Sequence, residues 1–122
     1  TYDSVQAKID FEGDVSFLLT GDIGAPAEQH LLESGQTLSA TVLKAGHHGS
    51  GESSTAEFLS AVGAQVAVVS VSRDNNFGLP DDEALHRLDR HCPHGILRTD
   101  QQGTVEFATD GRRLWIHTQN SE

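Results

Sequence analysis

Residues 66–71 constrain the fold more than any other part of this sequence. The run is rich in valine, and its apolar residues occupy both odd and even positions. A strand with one wet face alternates apolar and polar residues, whereas a strand that is apolar on both sides needs cover on both sides. The run therefore predicts a strand buried in the middle of an α/β sheet.

Helical and strand patterns alternate around this run. Helical spacing is found over residues 26–33, 54–62 and 81–91, and strand patterns over 5–11, 15–19, 41–45, 95–99, 104–108 and 114–118. Turn signals at 12–14 and 110–111 predict two hairpins. Pro26 suits a first helical position, and Ser54 with Glu57 forms a capping-box pattern. The order predicts one α/β layer, a mixed sheet with helices on one face.

Length and charge limit the function. The 122 residues suit one compact domain. The 18 acidic and 8 basic side chains give a net charge of −10, which disfavours a plain nucleic-acid-binding module that works by neutralising phosphates. A nuclease is not excluded, because a metal site can supply local positive charge. The single cysteine rules out an intramolecular disulfide, and no apolar stretch is long enough to span a bilayer.

The first candidate site residue is Asp22, which follows an apolar strand and Gly21. Glycine leaves room for close approach, and the carboxyl ends of strands are where α/β sheets build their sites. The alternative is that Asp22 caps the helix beginning near Pro26 or simply starts a turn.

The second candidate is the pair His47 and His48, which lies between Gly46 and Gly49 after the strand at 41–45. Neutral imidazole is the commonest protein ligand for zinc and related ions. Adjacent residues on extended backbone point to opposite sides, so at most one of the pair points into a given site and the other orients it or faces elsewhere. The alternative is a polar loop with two surface histidines.

Polar residues nearby complete the candidate set. Ser50 follows the histidines, but a nucleophilic serine is disfavoured because no Gly-x-Ser-x-Gly elbow is present. Asn75 begins a loop that comes after the buried strand and is placed to line a site.

The order and spacing of several blocks resemble the metallo-β-lactamase-like domain at the C-terminus of ComEC DNA-internalisation proteins. The blocks are residues 18–22, 42–44, 47–50, 66–72, 75–80 and 97–103, and they cover nearly the whole chain. The resemblance implies half of a four-layer αββα sandwich. The family's His-x-His-x-Asp-His motif precedes Asp22 and is absent here, so we expect residues 1–122 to be the second half of that domain.

The resemblance also implies roles for these residues. Asp22 matches the metal-bridging carboxylate and His48 the late metal ligand, so both would be catalytic; His47 would hold or screen the site and is the alternative ligand. Asn75 and Ser50 would bind substrate. The complete domain would hold two divalent cations, zinc or manganese, and hydrolyse phosphodiesters. We expect this segment alone to be inactive and to bind metal weakly at most, through Asp22 and His48.

Partners and location are implied in the same way. They are single-stranded DNA, whose non-transported strand would be degraded during uptake, the first half of the domain, and the membrane channel of the complete protein. The chain would thus be a soluble domain of a bacterial membrane protein. The apolar sheet face predicts a homodimer in the absence of the first half. Two alternatives remain: a non-catalytic interaction module of a competence membrane protein, and a phosphorylcholine-esterase-like phosphodiesterase of the same superfamily.

Overall fold

The structure, a computed structural model, describes residues 7–10, 15–21, 24–35, 37–72 and 78–119. The strands are β1 (Ala7–Asp10), β2 (Ser16–Leu19), β3 (Val42–Lys44), β4 (Val66–Val69), β5 (Ile96–Arg98), β6 (Val105–Thr109) and β7 (Leu114–Thr118). The helices are α1 (Ala25–Glu33), α2 (Ala56–Val62), α3 (Asp82–His91) and the one-turn α4 (Thr99–Gln102), with a short 3-10 helix at Gly46–Gly49. These elements confirm the predicted α/β class. Within the described ranges, no helix combines the length and the apolar character needed to cross a bilayer.

Five strands form the main sheet in the order β1-β2-β3-β4-β5. β1 is antiparallel to β2, as the predicted hairpin requires, and β2 to β5 are parallel. β4 lies between β3 and β5, which confirms the interior position predicted for residues 66–71. Because the parallel strands run the same way, their carboxyl ends share one edge of the sheet.

The helices cover one face of this sheet. The register aligns Leu18 with Leu43, Leu43 with Ala67 and Ala67 with Ile96, so these four side chains share a face. They pack in one hydrophobic cluster with residues from α1 (Ala27), α2 (Phe58, Leu59, Val62) and α3 (Leu88). α2 contacts both α1 and α3. The predicted placement of helices on one face is therefore confirmed.

β6 and β7 form a separate two-stranded sheet, so the prediction that all strands join one sheet is wrong. After β5 the chain makes the one-turn α4 and passes through Gly103, whose φ of +71° redirects it away from the edge of β5. The hairpin packs against the second face of the main sheet, where the ring of Phe107 meets that of Phe17 edge to face at 5.7 Å.

The rest of that second face carries half-buried residues at the carboxyl end of the sheet. They are Leu19, Lys44, Val68 and Leu97, which follow one another across the register. This is the face that the sequence predicts as a dimer interface. The homodimer stays a prediction.

The start of α2 differs from the sequence prediction by one residue. Its N-cap is Thr55, whose hydroxyl oxygen accepts a 3.4 Å hydrogen bond from the Phe58 N–H. Ser54, the predicted cap, has a φ of +58° and donates its own N–H to the carboxylate of Glu28. That bond takes Ser54 out of the capping position, which the next hydroxyl residue then fills.

Candidate functional site

The carboxyl ends of β2, β3 and β4 lie side by side at one edge of the sheet. Leu19 pairs with Lys44 and Lys44 pairs with Val68, so the segments that leave these strands start next to one another. Open α/β sheets bind their ligands beyond this edge. The two segments that the sequence singles out, those leading to Asp22 and to His48, leave from two of these adjacent ends.

Thr20 joins the first two strand ends. Its side chain is 1% exposed, and its hydroxyl donates a 2.6 Å hydrogen bond to the main-chain carbonyl oxygen of Lys44. Gly21 follows with a φ of +56°, a conformation that glycine adopts at little expense. Asp22 and Asn75 lie outside the described residues, so their predicted roles stay predictions.

His48 lies in the 3-10 helix that follows β3, and its ring is exposed. Its Nδ1–H donates a 2.6 Å hydrogen bond to the carbonyl oxygen of Ser70, just beyond β4. A carbonyl oxygen only accepts, so Nδ1 carries the hydrogen and Nε2 of the neutral ring carries the lone pair. Histidines that bind metals usually donate their other ring N–H to a carbonyl or carboxylate in this way. The tautomer and orientation of His48 therefore fit a metal ligand.

The backbone of His47 lies in the same 3-10 helix, and its side chain is outside the described part of the chain. The expectation that His47 and His48 point to opposite sides assumed extended backbone, and that assumption is wrong.

The end of the 3-10 helix is fitted closely to the chain before α3. Gly49 has a φ of +82°, and a Cβ placed on it would lie 2.6 Å from the Cβ of Pro80. Its carbonyl oxygen accepts a 2.8 Å hydrogen bond from the Asp81 N–H. Glycine is required here on both counts, and the contact fixes where the His48 loop ends.

Ser50 is buried beside this glycine. Its hydroxyl oxygen accepts a 3.2 Å hydrogen bond from the Glu52 N–H, and its carbonyl oxygen accepts one from the Ser53 N–H at 3.1 Å. Both bonds shape the turn that follows. A substrate-binding role for Ser50 stays a prediction.

Two charged side chains that the sequence analysis did not single out hold residues 51–55. The carboxylate of Glu28, in α1, accepts hydrogen bonds from the N–H groups of Ser54 at 2.5 Å and Thr55 at 2.9 Å. The guanidinium of Arg87, in α3, donates to three carbonyl oxygens, those of Ser54 at 2.9 Å and of Gly51 and Ser53 at 3.0 Å. All five bonds go to main-chain groups.

Glu28 is a buried acid, with 1% of its surface exposed. Burial raises the pKa of its carboxyl group, while the hydrogen bonds from Thr55 and Ser54 and the charge of Arg87 oppose the rise. One signal in the sequence pointed to it: Glu28 lies three and four positions before Leu31 and Leu32, on the apolar side of the helix. An acid on that side needs partners, and the sequence does not say which.

Residues at the end of β5 form the last part of the carboxyl edge of the sheet. The hydroxyl of Thr99 donates to the carbonyl oxygen of Val71 at 2.9 Å and accepts from the Val71 N–H at 2.8 Å. Arg98 forms a two-point ion pair with Asp100, with N–O distances of 3.0 and 2.7 Å. These contacts fix the backbone immediately after Ser70, the partner of His48.

The described part of this edge supplies one metal donor with the right tautomer, His48. Among the described residues, no group of three or more His, Cys, Asp or Glu side chains is close enough to hold a metal ion. The ring orientation of His48 is compatible with a metal ligand, and a metal centre at the carboxyl edge stays a prediction.

The chain is similar to several curated bacterial proteins. The chain is 36% identical over 100 residues to ComE operon protein 3 of Bacillus subtilis (strain 168), which is 82% of this chain and 13% of that protein. It is 38% identical over 98 residues to Competence protein ComA of Neisseria gonorrhoeae, which is 78% of this chain and 14% of that protein.

A third relative is Uncharacterized protein YcaI of Escherichia coli (strain K12), 41% identical over 113 residues, or 91% of this chain and 15% of that protein. No protein-family profile matches the chain, and no solved structure matches it significantly. The chain spans about one seventh of the length of these relatives. Over that segment, the chain belongs to the ComEC family of competence proteins.

Proposed function

We propose that this segment acts in DNA uptake, and that His48 belongs to a metal centre that hydrolyses phosphodiesters of single-stranded DNA. The observation that carries the proposal is the bond from His48 Nδ1–H to the Ser70 carbonyl oxygen at the carboxyl edge of the parallel strands. The names of two relatives, Competence protein ComA and ComE operon protein 3, support the role in uptake.

In this proposal the residues of the edge bind and orient. His48 would hold the cation, and its bond to the Ser70 carbonyl oxygen would keep the ring in the tautomer that permits this. Asp22, matched to the family's bridging carboxylate, is the second donor, and His47 is the alternative ligand. A bound divalent cation, zinc or manganese, lowers the pKa of a bound water and supplies positive charge for the phosphodiester.

The net charge of the chain agrees with a role for the cation in attracting phosphate. A net charge of −10 repels nucleic acid over most of the surface. Local positive charge from a cation would then be the main attraction for a phosphate at the edge. DNA binding by the segment is therefore expected to depend on metal.

The test is His48→Gln in the complete gene product, with His30→Gln, at an exposed position of α1, as the matched control. We expect DNA uptake to fall by about tenfold or more in His48→Gln, as for loss of a metal ligand, and to be unchanged in His30→Gln. Unchanged uptake in both variants would contradict the metal role and favour the non-catalytic interaction module.

Titration of the chain itself gives a second measurement. We expect weak zinc binding by calorimetry, which is lost in His48→Gln and kept in His30→Gln. Substrate class is separated by offering the complete protein either a single-stranded oligonucleotide or a phosphorylcholine ester. Cleavage of the ester alone would favour the esterase alternative over the nuclease.

A further inference from the structure

We propose that Glu28 and Arg87 are positioning residues for His48: they fix the main chain of residues 51–55 and so hold the loop in which His48 donates to Ser70. Neither residue touches the candidate metal centre itself. The proposal rests on the proposed function, because it names the residues that orient His48 as a metal ligand. The hydrogen bonds of Glu28 and Arg87 to residues 51–55 are present whatever His48 binds.

The pair is built to hold a backbone conformation. Glu28 accepts two N–H groups and Arg87 donates to three carbonyl oxygens, all from four residues of the 51–55 segment. Buried main-chain groups outside helices and sheets need other hydrogen-bond partners, and these side chains supply them. Ser53 and Ser54 are buried within this segment. The acid and the base come from α1 and α3, on either side of α2.

The loop contains two conformations that need such support. His48 has a φ of +54° and Ser54 a φ of +58°, both in the left-handed region that residues with a Cβ rarely adopt. Unfavourable backbone conformations persist where surrounding contacts over-determine them, and they cluster at functional sites. Ser54 is held directly by both Glu28 and Arg87.

A continuous set of contacts connects this segment to His48. The carbonyl oxygen of Glu52 accepts from the Ala25 N–H at 2.8 Å, and Ser50 bonds to the N–H groups of Glu52 and Ser53. Gly49, next to His48, is fitted against Pro80 with no room for a Cβ. Ser50 and Gly49 therefore connect residues 51–55 to His48, and a shift of that segment is passed to the His48 backbone through these two closely packed residues.

The chemistry of the pair favours a positioning role over a simple contribution to stability. A buried charge such as that of Glu28 is opposed by the free energy of desolvation, and apolar residues of similar size often stabilise a fold at least as well. Glu28 lies on the side of α1 that also carries Leu31 and Leu32, which pack against the core. A charge at this place is useful because it bonds to the loop main chain, which an apolar side chain cannot do.

The test uses two variants and two matched controls. Glu28→Gln keeps the shape but presents an NH₂ donor to one of the two N–H groups, and Glu33→Gln is the control on the exposed end of the same helix. Arg87→Lys keeps the charge but loses the planar set of donors, and Arg90→Lys is its exposed control in α3.

The main readout is the tautomer of His48, measured by ¹H–¹⁵N NMR of the imidazole rings and assigned with His48→Gln. In the wild type, Glu33→Gln and Arg90→Lys, we expect the Nδ1–H tautomer. In Glu28→Gln and Arg87→Lys, we expect a mixture of tautomers while circular dichroism shows a folded chain. A purely structural role would lower stability without changing the tautomer of the folded state.

A second readout is zinc affinity, which we expect to fall by about tenfold in the two variants, as for loss of a group that orients a ligand. A His48 ring that stays Nδ1–H in both folded variants would overturn the proposal. Loss of folding in both variants would also overturn it, because the pair would then determine the fold. If the wild type binds no zinc, the proposed metal centre fails, and the tautomer measurement still decides the positioning role.

Discussion

The buried hydroxyl of Thr20 donates a 2.6 Å hydrogen bond to the main-chain carbonyl oxygen of Lys44. This bond joins the carboxyl ends of β2 and β3, from which the segments carrying Asp22 and His48 depart. One threonine thus holds together the starts of two segments that lie more than twenty residues apart in the sequence. The relative position of these two strand ends depends on this contact as well as on the sheet register.

Replacing Thr20 with valine tests this bond. Valine has nearly the same shape but no hydroxyl, so the Lys44 carbonyl oxygen loses a donor in a buried place, at a free-energy loss of about 1–3 kcal/mol. Urea denaturation measures the loss. Thr104→Val, at an exposed position, is the control and should change the free energy of unfolding by less than about 0.5 kcal/mol. Equal effects of the two changes would contradict the account.

Much of the fold follows from local patterns in the sequence. The apolar residues at 66–71 predict a buried strand because both faces need cover, and β4 has that position. Helix α3 starts after its Asp81 cap, whose carboxylate accepts from the Glu83 N–H at 2.9 Å. Signals of this kind act over a few residues, so they can be recognised in a single sequence.

The contacts that the sequence did not predict are long-range or depend on the main chain. Glu28 is 26 residues from Ser54, and its partners are N–H groups that every residue other than proline has, so no residue type marks them. The separate β6–β7 sheet depends on the direction the chain takes at Gly103. The left-handed conformation of His48 is likewise imposed by its surroundings and not by its own preference.

The close fit of Gly49 gives a second prediction. Gly49→Ala combines an unfavourable φ of +82° with a Cβ 2.6 Å from that of Pro80. Gly35→Ala is the matched control, because Gly35 has a φ of +78° and nothing within 4 Å of an added Cβ. We expect Gly35→Ala to lower the free energy of unfolding by about 1–2 kcal/mol through backbone strain alone.

Gly49→Ala should lower it by a further amount of about 1–3 kcal/mol, because the added methyl group must displace Pro80 in a packed place. The same variant should weaken zinc binding, since Gly49 adjoins His48. Thermal or urea denaturation of both variants separates strain from steric overlap. Similar losses of unfolding free energy for Gly49→Ala and Gly35→Ala would show that the chain near Pro80 moves to make room for the added methyl group.

Aromatic residues differ widely in what they contribute to the core. Phe58 is 1% exposed at the centre of the core cluster, whereas Trp115 on the β6–β7 hairpin is 52% exposed. We expect Phe58→Ala to lower the free energy of unfolding by about 3–5 kcal/mol. Trp115→Ala should lower it by less than about 1 kcal/mol. A large loss in Trp115→Ala, measured by urea denaturation, would mean that the outer side of the hairpin, opposite Phe107, is covered in solution.

The pH dependence of stability follows from Glu28. Burial raises the pKa of its carboxyl group above the ordinary 4.5, against the hydrogen bonds from residues 54–55 and the charge of Arg87. A carboxyl group with the higher pKa in the folded state holds its proton better when folded. Its contribution to stability is therefore fully present below the ordinary pKa and is lost as the pH rises through the folded value.

Glu28→Gln cannot titrate at this position, so it isolates that contribution. We expect the free energy of unfolding of the wild type, relative to Glu28→Gln, to fall as the pH rises from about 4 to about 7. Urea denaturation across this range measures the difference, with Glu33→Gln as the reference for an exposed carboxyl group on the same helix. The opposite slope would mean that the N–H donors and Arg87 outweigh burial, because the carboxylate would then be the form that the folded loop prefers.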